Sequence, residues 1–200
     1  MSSRTTFVVP TPLRLEGFGI RLREWSDDDV PDLVAMYDDP EVDRWTGAPS
    51  PFDTEAARRY LAAAREQRAK GHAVQLVITT DGGVAQGEVM LFRGAADEGD
   101  VELAYGVGAA HRRRGLASKA VRLLVDYAAR QIGARRVLLR IEDGNTASKA
   151  VAKATGFALT DDEPIIRTAK GREVVLRTWR HLETDEIRGA RAEDQEGQAR

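Results

Sequence analysis

The segment GVGAAHRRRGLASKAVRLLVDY, residues 106–127, decides how the rest of the chain is read. It follows a run in which Val101, Leu103, Tyr105 and Val107 alternate with other residues, the two-residue period of a half-buried strand. Beyond a glycine- and arginine-rich turn, Ala117, Ala120, Val121, Leu124 and Ala128 recur at spacings of three and four, which places them on one face of a helix. The turn therefore lies where a strand passes into a helix N-terminus. There the first amides lack intrahelical acceptors and the macrodipole is positive. Gly115 allows close backbone approach, and Arg112, Arg113 and Arg114 add charge. Such a turn is a seat for a phosphate or pyrophosphate.

Two familiar phosphate loops do not fit it. Gly106-Val107-Gly108 opens a G-x-G-x-x-G pattern, but its sixth position is His111. A Walker loop needs Lys-Ser/Thr after its last glycine, whereas Gly115 is followed by Leu116 and Ala117. What remains is Arg112-x-x-Gly115-x-Ala117, which on its own also suits a solvated basic turn at a helix start.

Composition narrows the choices. Two hundred residues suit one domain with a sizeable core. The absence of cysteine excludes disulfides, a thiolate nucleophile and a cysteine metal site, and three histidines (His72, His111, His181) make a histidine-rich centre a poor fit, so no metal is expected. A net charge of -2 argues against broad nucleic-acid binding, which depends on neutralising many phosphates. No apolar run is long enough to span a membrane and MSSRTTFVV has no apolar signal core, so a cytoplasmic protein is expected.

Along the chain, residues 1–12 read as an irregular arm, 13–182 as one domain and 183–200 as a disordered charged tail. Leu13–Leu15 and Ile20–Trp25 suggest an opening strand pair. Ser26 and Asp29 then start a helix that buries Val30, Leu33, Val34 and Tyr37 and stops by Asp39. Glu41–Ser50 reads as a connector, and Asp53 or Thr54 caps a second helix through Ala69. Val74–Ile78 and Val84–Phe92 flank the hairpin signal Asp81-Gly82-Gly83, and a loop over residues 94–99 leads to the strand before the arginine turn. Arg136–Ile141 reads as a buried strand. Asn145 caps a helix carrying Ala147, Ala150, Val151 and Ala154, which Gly156 ends, and strands near Phe157–Leu159, Ile165–Thr168 and Glu173–Trp179 follow. The order is that of a single mixed α/β domain.

A second motif gives the turn its context. Asn145-x-x-Ser148-x-x-Val151-x-x-x-x-Gly156-Phe157 resembles a signature of the GCN5-related N-acetyltransferases (GNAT), whose acyl-CoA pyrophosphate loop, Gln/Arg-x-x-Gly-x-Gly/Ala, is similar to Arg112–Ala117. Asp39-Pro40-Glu41-Val42 and Glu102 resemble in particular the RimJ/RimL-type branch, which modifies protein N-termini. The resemblance implies a single-domain GNAT fold, with a mixed, V-splayed central β-sheet flanked by about four helices. It implies acetyl-CoA as cosubstrate, with pantetheine between the strand ending at Val107 and the strand Arg136–Ile141. Coenzyme contacts would come from Tyr105, Gly106, Val107, Arg112, Arg113, Arg114, Gly115, Leu116, Ala117, Ser118, Asn145 and Ser148.

Acetyl transfer to an amine needs a neutral amine, a polarised carbonyl and a proton for the leaving thiolate, but no protein nucleophile. At pH 7 roughly one α-amine in ten is neutral, against about one lysine in 2,500, so an N-terminal acceptor tolerates a weak base. Glu102, on a strand face with Ala104 and Gly106, is the leading candidate base, and Glu88 the second. If both faced one cleft, repulsion would raise one pKa. Ser148 matches the family serine near the coenzyme sulfur. The tyrosine that many relatives carry for that task would fall at Ala152, so it is absent here. Arg44 and Trp45 are candidate acceptor contacts, although a core position suits Trp45 better. The acceptor is open between a protein N-terminus and a small-molecule amine, and the chain between monomer and homodimer. A non-catalytic acyl-CoA-binding domain is the alternative, and RNA contact by the arginine turn a weaker one.

Overall fold

The computed structural model describes residues 9–94 and 99–182. Most of the expected N-terminal arm, most of the 94–99 loop and the charged tail lie outside them. Strand and helix propensities resolve into β1 (Arg14–Gly17), β2 (Ile20–Glu24), α1 (Val30–Tyr37), α2 (Pro40–Trp45), α3 (Thr54–Ala69), β3 (Ala73–Thr79), β4 (Gly87–Arg93), β5 (Asp100–Val107), α4 (Leu116–Tyr127), β6 (Arg136–Glu142), α5 (Thr146–Ala154), β7 (Phe157–Leu159), β8 (Ile165–Ala169) and β9 (Arg172–His181). The strands form one sheet in the order β1-β2-β3-β4-β5-β6-β9-β7, with β8 also paired to β9. This is the expected mixed α/β architecture. Among the described residues no helix is long and apolar enough to cross a membrane.

Every strand pair is antiparallel except β5–β6, whose parallel alignment needs a crossover, supplied by α4. That pairing is short. It runs from Asp100↔Arg136 to Leu103↔Leu139, after which β5 continues to Val107 and β6 to Glu142 without each other. On their outer sides both stay paired, β5 with β4 as far as Val107↔Gly87 and β6 with β9 as far as Glu142↔Leu176. The sheet thus forks.

The period in α4 translates directly into packing. Leu116, Ala120, Val121, Leu124 and Val125 are buried against Leu91, Leu103 and Leu139 on one face of the sheet. Ala117 departs from the expected face and is only half-buried, because the first turn of the helix fronts a cleft. Ala128 is fully buried, but in a wide π-type turn over Ala128–Ile132, which ends at Gly133 with φ 72°. In α5 the expected apolar face is also corrected: Ala147, Ala150 and Ala154 are exposed, Ala152 is fully buried, and Val151 packs partly buried against the core. Four alanines in nine residues give too little contrast in size and polarity for periodicity to orient the helix.

On the opposite face, α1 and α3 enclose a second core of Leu33, Phe52, Ala57 and Leu61. The connector expected over Glu41–Ser50 is partly helical instead, as α2. Asp39 accepts from the amides of Glu41 and Val42, and Pro40 occupies the first helical position, where its missing N–H costs nothing. β4 starts at Gly87 rather than Val84, which is exposed.

One buried carboxylate ties the helical layer to the sheet. Glu88, fully buried on β4, accepts from Trp25 Nε1 at 2.6 Å and from the hydroxyls of Tyr37 and Tyr60 at 2.7 Å each. Burial raises its pKa above the ordinary glutamate value of 4.5, although the three donors oppose the shift. The sign of the stability effect follows. The neutral form's contribution is fully present below 4.5 and is lost as pH rises through the raised value. Wild-type stability relative to Glu88→Gln is therefore expected to fall as pH climbs above 4.5 toward the raised value, at most ~1.4 kcal/mol per pH unit. Urea unfolding of both proteins across that range checks this, and a flat or rising difference would contradict it.

Candidate active site

The arginine turn is built by backbone geometry. After Val107 the chain makes a tight 3-10 turn over Ala109–His111. Arg113 and Gly115 then take positive φ, 63° and 71°, and α4 begins at Leu116. The amide of Lys119 bonds Gly115 O at 3.0 Å, so those of Leu116, Ala117 and Ser118 precede the first i−4 carbonyl of the helix. A Cβ at Gly115 would meet no atom within 4 Å. Glycine is thus set there by the backbone angle, and it leaves the concave side of the turn bare.

Arg112 does not point outward with its two neighbours. Its Nε donates to Val107 O at 3.2 Å, and its guanidinium pairs at 2.6 Å with Asp39, the carboxylate that caps α2. Burial works against ionisation of Asp39, but Arg112 and the amides of Val42 and Glu41 outweigh it and hold the carboxyl below its usual range. Arg113 and Arg114 are exposed beside the turn, Arg114 lying 3.4 Å from His111 Nδ1.

From the turn a cleft of about 420 Å³ runs into the fork of the sheet. Its lining comes from both faces. Met90 pairs with Ala104 and Val89 with Tyr105, so Met90 and Tyr105 project to opposite sides, yet both border the cleft. Only a gap in a sheet permits that. On the α4–α5 side, Tyr105 spans the gap by donating to Ser148 O at 3.0 Å, and burial pushes its phenol up to about 12. Asn145 caps α5 by accepting from the Ser148 amide at 3.0 Å. The Ser148 hydroxyl has no hydrogen-bond partner among the described residues, and Ser148 borders the cleft.

The two candidate carboxylates stand apart. Glu102 pairs with Phe92 across β4–β5 and with Leu138 across β5–β6, one step before the fork opens. Its carboxylate lies 3.4 Å from Arg140 Nε and 3.9 Å from Arg167. Glu88 pairs with Gly106 at the other end of the same face, beneath Tyr37, and neither carboxylate borders the cleft directly. Burial, with no contribution from Glu102, accounts for the raised pKa of Glu88.

The wall opposite α5 comes from α1 and α2. Trp45 is half-buried and borders the cleft rather than filling the core: a Cβ on Gly144 would lie 3.3 Å from its ring, its Nε1 donates to Glu41 at 3.4 Å, and Arg44 stacks on it at 4.6 Å. The β8–β9 turn clasps the same helix through Lys170–Asp43 (2.5 Å) and Arg172, which bridges Glu142 and Arg44 O. Met36, Tyr37, Val42 and Met90 also border the cleft, and sequence reading missed them. Apolar residues on an amphipathic helix or an alternating strand carry the same signal whether they face a core or a cavity. Asp39-Pro40 is the signal that would have revealed α2.

The model of the acetyltransferase (GNAT) domain family matches residues 20–158. The uncharacterized N-acetyltransferase p20 of Bacillus licheniformis is 27% identical over 164 residues, covering 80% of this chain and 89% of that protein. Among solved structures, Mycobacterium smegmatis RimJ in complex with a CoA disulfide superposes with a TM-score of 0.67 at 18% identity, covering 84% of this chain and 85% of RimJ. The microcin C7 self-immunity acetyltransferase MccE, in complex with acetyl-CoA and AMP, gives 0.71 at 16% identity, covering 83% and 93%. A family match over most of the chain, carried on a sheet that forks beside a bare helix N-terminus, leaves one assignment: the protein belongs to the GNAT acetyltransferase family.

Proposed function

We propose that the forked cleft transfers an acetyl group from acetyl-CoA to a primary amine by direct attack in a ternary complex, as in the RimJ/RimL-type branch. The observation that carries this reading is a cleft open to both faces of the sheet, with bare helix amides at one end. CoA and acetyl-CoA, bound in the M. smegmatis RimJ and MccE structures, suit those features. The pyrophosphate rests on the amides of the Gly115–Ser118 turn, with Arg113 and Arg114 supplying charge. Pantetheine lies along the free edge of β5 at Tyr105, Gly106 and Val107, where its amides meet backbone groups that β6 no longer pairs. Arg112 serves through its backbone and through Asp39, not by a charge aimed at the anion.

The amine enters from the α1–α2 side, near Arg44 and Trp45. Its nitrogen attacks the thioester carbon, the C–S bond breaks, the amine proton leaves to a base, and the thiolate takes up a proton. Glu102, at the foot of the fork and behind the cleft lining, is the base through a bridging water. Glu88 holds Tyr37 in the cleft wall. Ser148 directs its unpaired hydroxyl at the sulfur and supplies the proton. The backbone amide near Val107 polarises the carbonyl. The acceptor is a protein N-terminus or a small-molecule amine.

Free-thiol release from acetyl-CoA across a panel of amines and N-terminal peptides tests this function directly, and acetyl-CoA binding without release from any of them would reject it. Gly115→Val places a branched side chain at positive φ in the anion seat, so acetyl-CoA affinity by calorimetry should fall at least about tenfold; unchanged affinity would remove the pyrophosphate assignment. Ser148→Ala should lower kcat by roughly tenfold or more with little change in acetyl-CoA affinity. An unaffected kcat would leave the serine structural.

A further inference from the structure

Resting on the acetyl-transfer reading above, we infer that the acceptor is a monoamine with an apolar substituent beside its amino group, and that polycationic amines are excluded. The α1–α2 arm of the cleft is walled by Met36, Tyr37, Val42, Trp45 and Met90. Gly106 adds space to it. Its φ is not positive and a Cβ there would meet nothing within 4 Å, so neither backbone nor packing requires glycine at that position. Gly106 faces the same side as Glu88 and Met90, so the missing side chain opens the arm where an acceptor would stand beside the thioester.

Charge makes the same selection. A polyamine or aminoglycoside needs several available carboxylates, and the lining carries one, Glu41, which accepts from Trp45 Nε1 at the exposed rim. The surrounding acids are already engaged: Asp39 with Arg112, Asp43 with Lys170, Glu142 with Arg172, and Glu102 with Arg140. Glu88 is sealed beneath three donors. Arg44, exposed and stacked on Trp45, places a further cation beside this wall. A second or third ammonium group on the acceptor would have to displace one of these cations, whereas a leucine-, methionine- or phenylalanine-like group finds an apolar wall.

The test is thiol release from acetyl-CoA by the full-length protein with glycinamide, leucinamide, phenylalaninamide, spermidine and kanamycin. An apolar pocket discriminates by roughly tenfold or more per added methylene. The kcat/KM for leucinamide or phenylalaninamide should therefore exceed that for glycinamide by at least about tenfold, with no turnover of spermidine or kanamycin. Trp45→Ala and Met90→Ala, each checked for folding by thermal unfolding, should shrink the leucinamide-to-glycinamide ratio severalfold. Equal turnover of the three amides, faster turnover of the polycations, or a ratio unchanged in both variants would overturn the inference while leaving acetyl transfer intact. Acetyl-CoA binding with no thiol released from any amine would overturn the acetyl-transfer reading and this inference with it.

Discussion

The parting of β5 from β6 after Leu103↔Leu139 is the constraint on which the rest depends. A strand edge without a partner leaves amides and carbonyls that must find other hydrogen bonds. Here the half-sheets on either side are stable in themselves, since β5 keeps β4 and β6 keeps β9 throughout the stretch in which they part. The fork therefore costs little in the fold, while its inner edges present backbone polar groups to a ligand. Tyr105 bridges the opening through Ser148 O and so fixes its width on one side.

The fork has unequal walls. The α4–α5 side is part of the main core and positions the arginine turn with buried leucines and valines. The other wall includes α2, which buries no residue completely and is held by ion pairs at both ends, Asp39 to Arg112 and Asp43 to Lys170. Such pairs contribute modestly each and weaken with salt. The α4–α5 side is thus the firmer half of the cleft. The α1–α2 side depends on contacts that link α2 to the arginine turn and to the β8–β9 turn.

Much of the site was legible because local chemistry writes it into short spans. Gly115 before a helix, Asn145 at a cap, and the alternation of Val101, Leu103, Tyr105 and Val107 each have a local cause, and each reappears in the structure where expected. The α1–α2 side of the cleft was less legible. Tyr37, Met90 and Val42 look like core residues in sequence, and whether the two glutamates share a cleft stayed open because strand alternation gives a face and not a distance. Their separation, with Glu102 among arginines and Glu88 among phenols and an indole, is set by the β4–β5 register and by the helices laid over one end of it.

The sequence by itself determined the order of elements apart from α2, the two motifs and the absence of thiol chemistry, because periodicity, capping and residue inventory act within a few residues along the chain. Only the tertiary structure decided that Arg112 turns back to cap-bearing Asp39, that Trp45 lies against Gly144 as a wall, and that one cleft opens to both faces of the sheet. Those contacts join residues far apart in the chain. Their geometry depends on where parallel pairing stops, which no local pattern encodes.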